Sequence, residues 1–210
     1  MPPQLDNLYC VQKKDFPKAG AVLADAFEHD PVWEKVLQET DGEFRRGFFQ
    51  GPVRYCSKYG KAYASSEHLE GVAAWVPGSL ADMTIWRMIR SGSFASGIGM
   101  AKGMIGVGQR MSSILGPLEV DRKTNMNRRA YLYLMIIGVA SPFQGRGFGG
   151  KILRALIEES EQLALPVYLE TATERNAAMY ERAGFTLLSK TTLPVIHLPQ
   201  WEMVREPNAS

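Results

Sequence analysis

The sequence predicts an α/β fold: a mixed sheet, antiparallel at its start, with helices on both faces. Three observations predict it. Residues 61–65 and 71–76, separated by the polar run Ser66-Glu67-His68-Leu69-Glu70 and ended by Pro77-Gly78, read as an antiparallel hairpin. Residues 131–139 are apolar at odd and even positions alike, the pattern of a central strand covered on both faces. A glycine-crowded turn then leads into the amphipathic segment 151–165, whose Ile152, Leu153, Leu156, Ile157 and Leu163 mark a helix lying against that strand.

The other elements follow in order. Residues 8–12 read as a short strand, after which Asp15 caps a helix carrying Pro17 in its first turn and Ala19, Val22, Leu23, Ala26 and Phe27 on one face. Asp30-Pro31 disfavours its continuation. Phe44, Phe48, Val53, Tyr55, Cys56 and Tyr59 then suggest a second helix, broken or ended near Gly51-Pro52 and packed on the first. From 79 to 122, Met, Ile, Trp and Leu at helical spacing predict one or two helices, diluted by Gly92, Gly97, Gly99, Gly103, Gly106 and Gly108. Each interior glycine costs about 0.5–1 kcal/mol relative to alanine, so this insert is expected to be less stable than the rest and able to move as a lid. Gly99-x-x-x-Gly103 reads as simple packing, because Lys102 lies inside it and its flanks are not membrane-like. Residues 121–129 read as a solvated, charged connector. Beyond the central strand and its helix come a strand at 166–170, a short helix at 176–182, and strands at 184–188 and 201–204.

Bulk properties narrow the function. The 210 residues suit one domain, 1–210, carrying the helical insert at about 79–122. Lys plus Arg (24) nearly balance Asp plus Glu (22), and a net charge of +2 gives no electrostatic reason to expect a nucleic-acid partner. The start lacks a charged and then apolar leader, and no apolar run reaches the roughly 18 residues of a membrane span, which points to a cytoplasmic protein. Cys10 and Cys56 are too few for a disulfide framework, and His29, His68 and His197 are scattered, so no metal is expected. Asn208-Ala-Ser210 fits a glycosylation pattern but reads as a frayed tail.

The chemistry concentrates where the chain reads Val139-Ala-Ser-Pro-Phe-Gln144-Gly145-Arg146-Gly147-Phe148-Gly149-Gly150-Lys151. Successive glycine amides followed by the positive end of a helix dipole form a cradle for a phosphorylated cofactor. Two cofactors compete for it. Gly145-x-Gly147-x-x-Gly150 satisfies the dinucleotide fingerprint, with Glu170 placed 20 residues on, where a ribose-binding acid belongs. Against this, residues 140–144 separate the strand from the first glycine, only 60 residues remain after Gly150, and two-thirds of the chain precedes a motif that normally opens its domain.

Read as Gln144-x-x-Gly147-x-Gly149 after Val139, the loop resembles the pyrophosphate-binding motif of the GNAT superfamily of N-acetyltransferases. The run from Leu169 through Glu170, Asn176 and Tyr180 to Gly184-Phe185 resembles that superfamily's second signature, and together the two cover about residues 131–188. Ala26-Phe-Glu-His-Asp30-Pro31, Gly71-Val-Ala-Ala-Trp75-Val-Pro77-Gly78 and Trp201-Glu-Met203 are similar to the branch containing puromycin N-acetyltransferase. One departure is that Ser141 stands where a proline is usual, with Pro142 one place later.

The resemblance implies a strongly twisted sheet holding acetyl-CoA beside the central strand, and transfer of an acetyl group to a primary amine of a small molecule. Acetylation of a protein or peptide amine and a non-catalytic acyl-CoA-binding module are the alternatives. Monomer and homodimer are both compatible with this. Amides from Gln144 through Gly145, Arg146, Gly147, Phe148 and Gly149 to Gly150 would hold the pyrophosphate. Arg146 and Lys151 would add charge or simply be solvated. By the same resemblance, Ile137, Gly138 and Val139 splay from the next strand and present backbone groups to pantetheine and to the thioester oxygen. Tyr180 is the expected general acid, with Asn176 one turn earlier orienting cofactor or substrate. For the base, Glu170 and Asp30 are candidates, directly or through water. Glu170 is equally suited to a structural hydrogen bond, and Asp30 to shaping the turn before Pro31. Phe27, Trp33, Trp75 and Trp86 could line an aromatic slot for the acceptor under the insert.

Overall fold

The computed structural model describes residues 8–94 and 101–208, with side chains from Ile105 onward in the second span. The chain start, Gly97, Gly99 and the tail beyond Asn208 lie outside the described residues, and with them the packing of Gly99-x-x-x-Gly103.

Among the described residues, seven strands form one sheet: β1 (Tyr9–Cys10), β2 (Lys61–Ala64), β3 (Gly71–Pro77), β4 (Leu132–Val139), β5 (Val167–Thr171), β6 (Thr186–Thr192) and β7 (Pro199–Arg205). Their spatial order is β1-β2-β3-β4-β5-β7-β6. Every neighbouring pair is antiparallel except β4 and β5. A sheet with one parallel pair is not a doubly wound dinucleotide fold, which needs parallel strands throughout each half.

The predicted hairpin is β2–β3, and the central strand is β4. The β3–β4 ladder slips at Met135: Ala74 faces Ile136 while Trp75 faces Leu134. Such a bulge adds one residue to one strand and reverses its alternation beyond that point. Leu132 and Leu134 pack on one face, and after the bulge Ile137 joins them while Ile136 turns to the other.

Helices cover both faces. On one lie α6 (Phe148–Leu163) and α7 (Glu174–Arg182), which bury Ile152, Leu153, Leu156 and Ala177. Leu163, counted with that stripe from the sequence, is instead exposed. Glu159 on α6 is buried yet satisfied, pairing with Lys61 Nζ at 2.9 Å and accepting from Trp75 Nε1 at 3.1 Å. That arrangement pins α6 to β2 and β3.

On the other face lie α1 (Phe16–Ala26), α2 (Pro31–Val36), α3 (Gly42–Tyr59) and α5 (Ala101–Met126), with α4 (Ile85–Ser91) at its margin. A Cβ on Gly20 would sit 2.4 Å from the Arg46 carbonyl oxygen, so α1 meets α3 backbone to backbone.

Three sequence expectations change here. Asp15 occupies the N-cap of α1 but makes no capping bond; its carboxylate turns back to accept from Tyr9 Oη at 2.8 Å and the Gln12 amide at 2.9 Å. The second helix is not broken at Pro52, for α3 runs through it. The missing amide costs a hydrogen bond, and buried Phe49, Val53, Tyr55 and Cys56 on either side hold the helix continuous.

Residues 121–126 are not a connector, because α5 continues to Met126 and buries Arg122 and Met126, while 127–129 are exposed beyond it. The described part of α5 packs on this face: Val107, Ile114 and Leu118 are in the core, and Arg110 donates to the Val36 and Gln38 carbonyls at 2.9 and 3.0 Å.

Candidate functional site

The glycine loop ends in an open helix terminus. Gly145 and Gly147 adopt φ of +75° and +86°, and a Cβ added at either would meet nothing within 4 Å. The conformation therefore demands glycine while the space around it stays free. Gly147 is the N-cap of α6 and carries no side chain to cap it, so the amides of Phe148, Gly149 and Gly150 begin the helix without intrahelical partners. The first ladder bond is Lys151 N to Gly147 O at 2.9 Å. Amides left without helical partners at the positive end of a 16-residue helix can receive an anion.

Side chains around the loop shape it more than they charge it. Gln144 Nε2 donates to the Val139 carbonyl at 3.1 Å, and Asp25 Oδ2 accepts from the Ser141 amide at 2.5 Å. Arg146 lies over the Phe143 ring at 5.8 Å. Lys151 Nζ donates to the Ser65 carbonyl at 2.7 Å, tying the loop to the β2–β3 turn.

Beside this loop the sheet parts. The β4–β5 ladder holds only at Leu132 with Val167 and Tyr133 with Tyr168, so residues 134–139 have no strand partner on that side. Ile137, Gly138 and Val139 lie along this open edge. A Cβ on Gly138 would stand 2.8 Å from Ala26 Cβ and 3.0 Å from Leu23 Cδ2, so the glycine is required by α1 packing on the strand.

The predicted acid and base fall on opposite faces of the wedge. Alternation along β5 sends Val167 and Leu169 toward α6 and α7, in the cluster that contains Tyr180. Tyr168 points the other way, among Met126, Tyr131 and Val204. Glu170 shares the Tyr168 side.

Tyr180 is buried, its ring edge-on to Phe185 at 5.5 Å, and burial raises its phenol above the ordinary value, so it stays protonated at working pH. Asn176 is half-buried one turn before it, behind the Thr173 cap. Glu170 Oε2 accepts from Tyr133 Oη at 2.7 Å, and Arg122 Nη1 lies 3.8 Å from Oε1. Burial pushes the Glu170 carboxyl up to about 7; Arg122 and Tyr133 oppose the rise and Glu202 adds to it. A carboxyl poised near neutrality beside an open wedge can take a proton from an amine.

Asp30 has a different use. Its Oδ1 accepts from the Val32 and Trp33 amides at 3.0 Å, which makes it the N-cap of α2. The four aromatic residues do not converge. Phe27 and Trp33 share a cluster with Phe48 and Phe49, Trp75 is buried on the other face against Tyr63, and Trp86 is 66% exposed on α4.

The sequence reading missed Arg122, Tyr133 and Glu202. Arg122 pairs with Asp82 at 2.5 Å and lies over the Tyr133 ring at 4.7 Å. Its signal was the four-residue spacing of Ile114, Leu118, Arg122 and Met126, which sets it on the buried stripe of α5. A cleft of about 720 Å³ between Gly78, Asp82, Lys123, Arg129 and Tyr131 lies at the other end of β4, ~23 Å of strand from Val139. Its lining includes Arg122, so this cleft reaches the side chains around Glu170 from the end of β4 opposite the glycine loop.

Comparison with known proteins bears on this arrangement. Residues 102–185 match the model of the acetyltransferase (GNAT) family. An uncharacterized N-acetyltransferase of Schizosaccharomyces pombe is 28% identical over 94% of this chain and 82% of its own. Among solved structures, a histone acetyltransferase HPA2 and related acetyltransferase from Corynebacterium glutamicum aligns with a TM-score of 0.67 at 20% identity, covering 97% of each chain. Arylalkylamine N-acetyltransferase 2 from Aedes aegypti aligns at 0.64 and 13% identity, over 96% of this chain and 98% of its own. At such identities the structural likenesses speak for the fold.

Proposed function

The chain belongs to the GNAT family of acetyltransferases, and from that premise we propose that it transfers an acetyl group from acetyl-CoA to the primary amine of a small molecule. One observation carries the reading: the open N-terminus of α6, with its positive-φ glycines, stands beside the edge of β4 freed from β5. Main-chain amides of Gly147 to Gly150 would hold the pyrophosphate, and the free edge at residues 137–139 would run beside pantetheine. When bound, acetyl-CoA supplies the thioester carbonyl and the thiolate leaving group.

The residues then have separate tasks. Glu170 accepts the proton that the amine must lose before attack, since an alkyl ammonium has pKa near ~10. Tyr180 donates from Oη to the departing sulfur on the other face of the wedge, with Asn176 orienting the cofactor. Because burial makes the phenol a weaker acid, it acts as a hydrogen-bond donor to the developing thiolate before it acts as a proton source. Asp30 is the lesser candidate for the base, its Oδ1 being committed to the α2 cap.

The small acceptor is favoured over a peptide because α5 roofs the Glu170 side, with Arg122 over Tyr133. The relative from Aedes aegypti is named for arylalkylamines, which agrees with this choice. The finer resemblance to the puromycin N-acetyltransferase branch is not among what these relatives support. Motion of the lid belongs to the same proposal, and α4, with Ile85, Trp86 and Ile89 exposed, is the segment suited to it.

A thiol-release assay with acetyl-CoA against amines, polyamines, amino acids and peptides tests the reading. Release driven by small primary amines supports it, and release with peptides alone overturns it. Acetyl-CoA at 100 times its Kd should stabilise the fold by about 2.7 kcal/mol, and NAD should not.

A further inference from the structure

Glu202 is fully buried in β7, where a carboxylate is costly unless it is needed. Register places it directly opposite Glu170 on the antiparallel pair β5–β7, so both side chains leave the same face. Two donors fix it: Tyr168 Oη at 2.7 Å and Asn125 Nδ2 at 2.5 Å, both onto Oε2. A glutamine would accept both bonds equally well. Yet Oε1 of Glu202, Oε1 of Glu170 and Nε of Arg122 all lack a hydrogen-bond partner among the described residues. Packing alone does not account for an acid here.

We propose that Glu202 is a positioning residue for acyl transfer, its carboxylate fixed by Tyr168 and Asn125 directly across the β5–β7 ladder from Glu170, the acceptor of the amine's proton. This rests on Glu170 being the proton acceptor. Two carboxyls on opposed strand positions do not both ionise freely, and a negative Glu202 favours the protonated form of Glu170.

The other charged and titratable groups around the pair are Arg122 and Asp121 on α5, Tyr131 and Tyr133 on β4, Tyr168 on β5, and Asp82 before α4. Lys123 lies outside, paired with Asp82 at 2.9 Å. Among the described residues Arg122 is the one cation in contact with Glu170, and Asp82 shares it. The balance that Glu170 experiences is therefore open to a second acid.

The test compares pH profiles of kcat/KM for the wild-type enzyme, Glu202→Gln and Glu170→Gln, using an amine found active in the thiol-release assay. Glu202→Gln should shift the acid limb to lower pH by about one unit, and Glu170→Gln should remove that limb with at least a ~100-fold loss of rate. An unmoved limb in Glu202→Gln, with Glu170→Gln inactive, overturns the role of Glu202 and leaves Glu170 as the acceptor of the proton. Full activity and an unchanged profile in Glu170→Gln overturn the underlying reading instead. Should Glu202→Gln fail to fold, carboxyl-carbon NMR of the wild-type enzyme decides the matter. Titration of Glu170 and Glu202 in two coupled steps supports the proposal, and two independent single-site curves overturn it.

Discussion

Tyr133 donates a 2.7 Å hydrogen bond to Glu170 at the point where β4 and β5 cease to pair. The bond joins the last rung of the parallel ladder to the first carboxyl beyond it, so the geometry of the wedge and the orientation of the acid are set together. Tyr180 stands across the sheet from this pair, in the cluster under α6 and α7.

Loss of the Tyr180 hydroxyl separates binding from chemistry. Tyr180→Phe keeps the buried ring against Phe185, and turnover is expected to fall about 100-fold while acetyl-CoA affinity stays within about twofold. Equilibrium binding and steady-state rates measured on the same preparation check this, and unchanged turnover removes Tyr180 from the mechanism.

Stability should depend on pH through Glu170. Its carboxyl lies at about 7 in the folded protein and near 4.5 when unfolded, so the folded state holds the proton more tightly. The stability gained from that proton is complete below pH ~4.5 and is lost as pH rises through ~7. The wild-type Tm should fall by roughly 3 °C or more between pH 5 and pH 8 relative to Glu170→Gln, whose curve is flatter. Differential scanning calorimetry of both proteins gives the comparison.

Gly147 tests the loop. A side chain at φ +86° costs about 1–2 kcal/mol and nothing nearby clashes with it, so Gly147→Val is expected to fold with a modestly lower Tm. Acetyl-CoA binding should weaken about tenfold or more, since the strain falls on the amides at the start of α6. Calorimetric titration with coenzyme A measures it.

Removing the buried cation should destabilise strongly. Arg122→Met leaves Glu170 and Asp82 without their shared partner, and about 3 kcal/mol of stability is expected to be lost at neutral pH. The loss should shrink as pH falls and the carboxyls protonate. Urea denaturation at two pH values detects both effects.

Contact between α1 and α3 is similarly exacting. In Gly20→Ala the new methyl group meets a backbone carbonyl at 2.4 Å, which forces the helices apart at a cost of about 2 kcal/mol. Fluorescence-monitored unfolding should show it, and a neutral result would mean that the helices slide freely.

Much of this protein was readable along the chain. The β2–β3 hairpin, the glycine loop with the helix behind it, and the placing of Asn176 and Tyr180 on one short helix all depend on residues a few positions apart. Their causes are local: polar turns, missing Cβ atoms and 3.6-residue spacing. Arg122 and Glu202 were not readable in that way. Charge in 121–129 suggests solvent until α5 is seen to bury Arg122, and nothing near Glu202 in the chain reveals that it faces Glu170, 32 positions away. That pairing comes from β7 inserting between β5 and β6, and the placing of Glu170 and Tyr180 on opposite faces of the sheet comes from strand alternation. Backbone conformation is set by neighbours in sequence, whereas burial and charge pairing are set by neighbours in space, which exist once the sheet has closed.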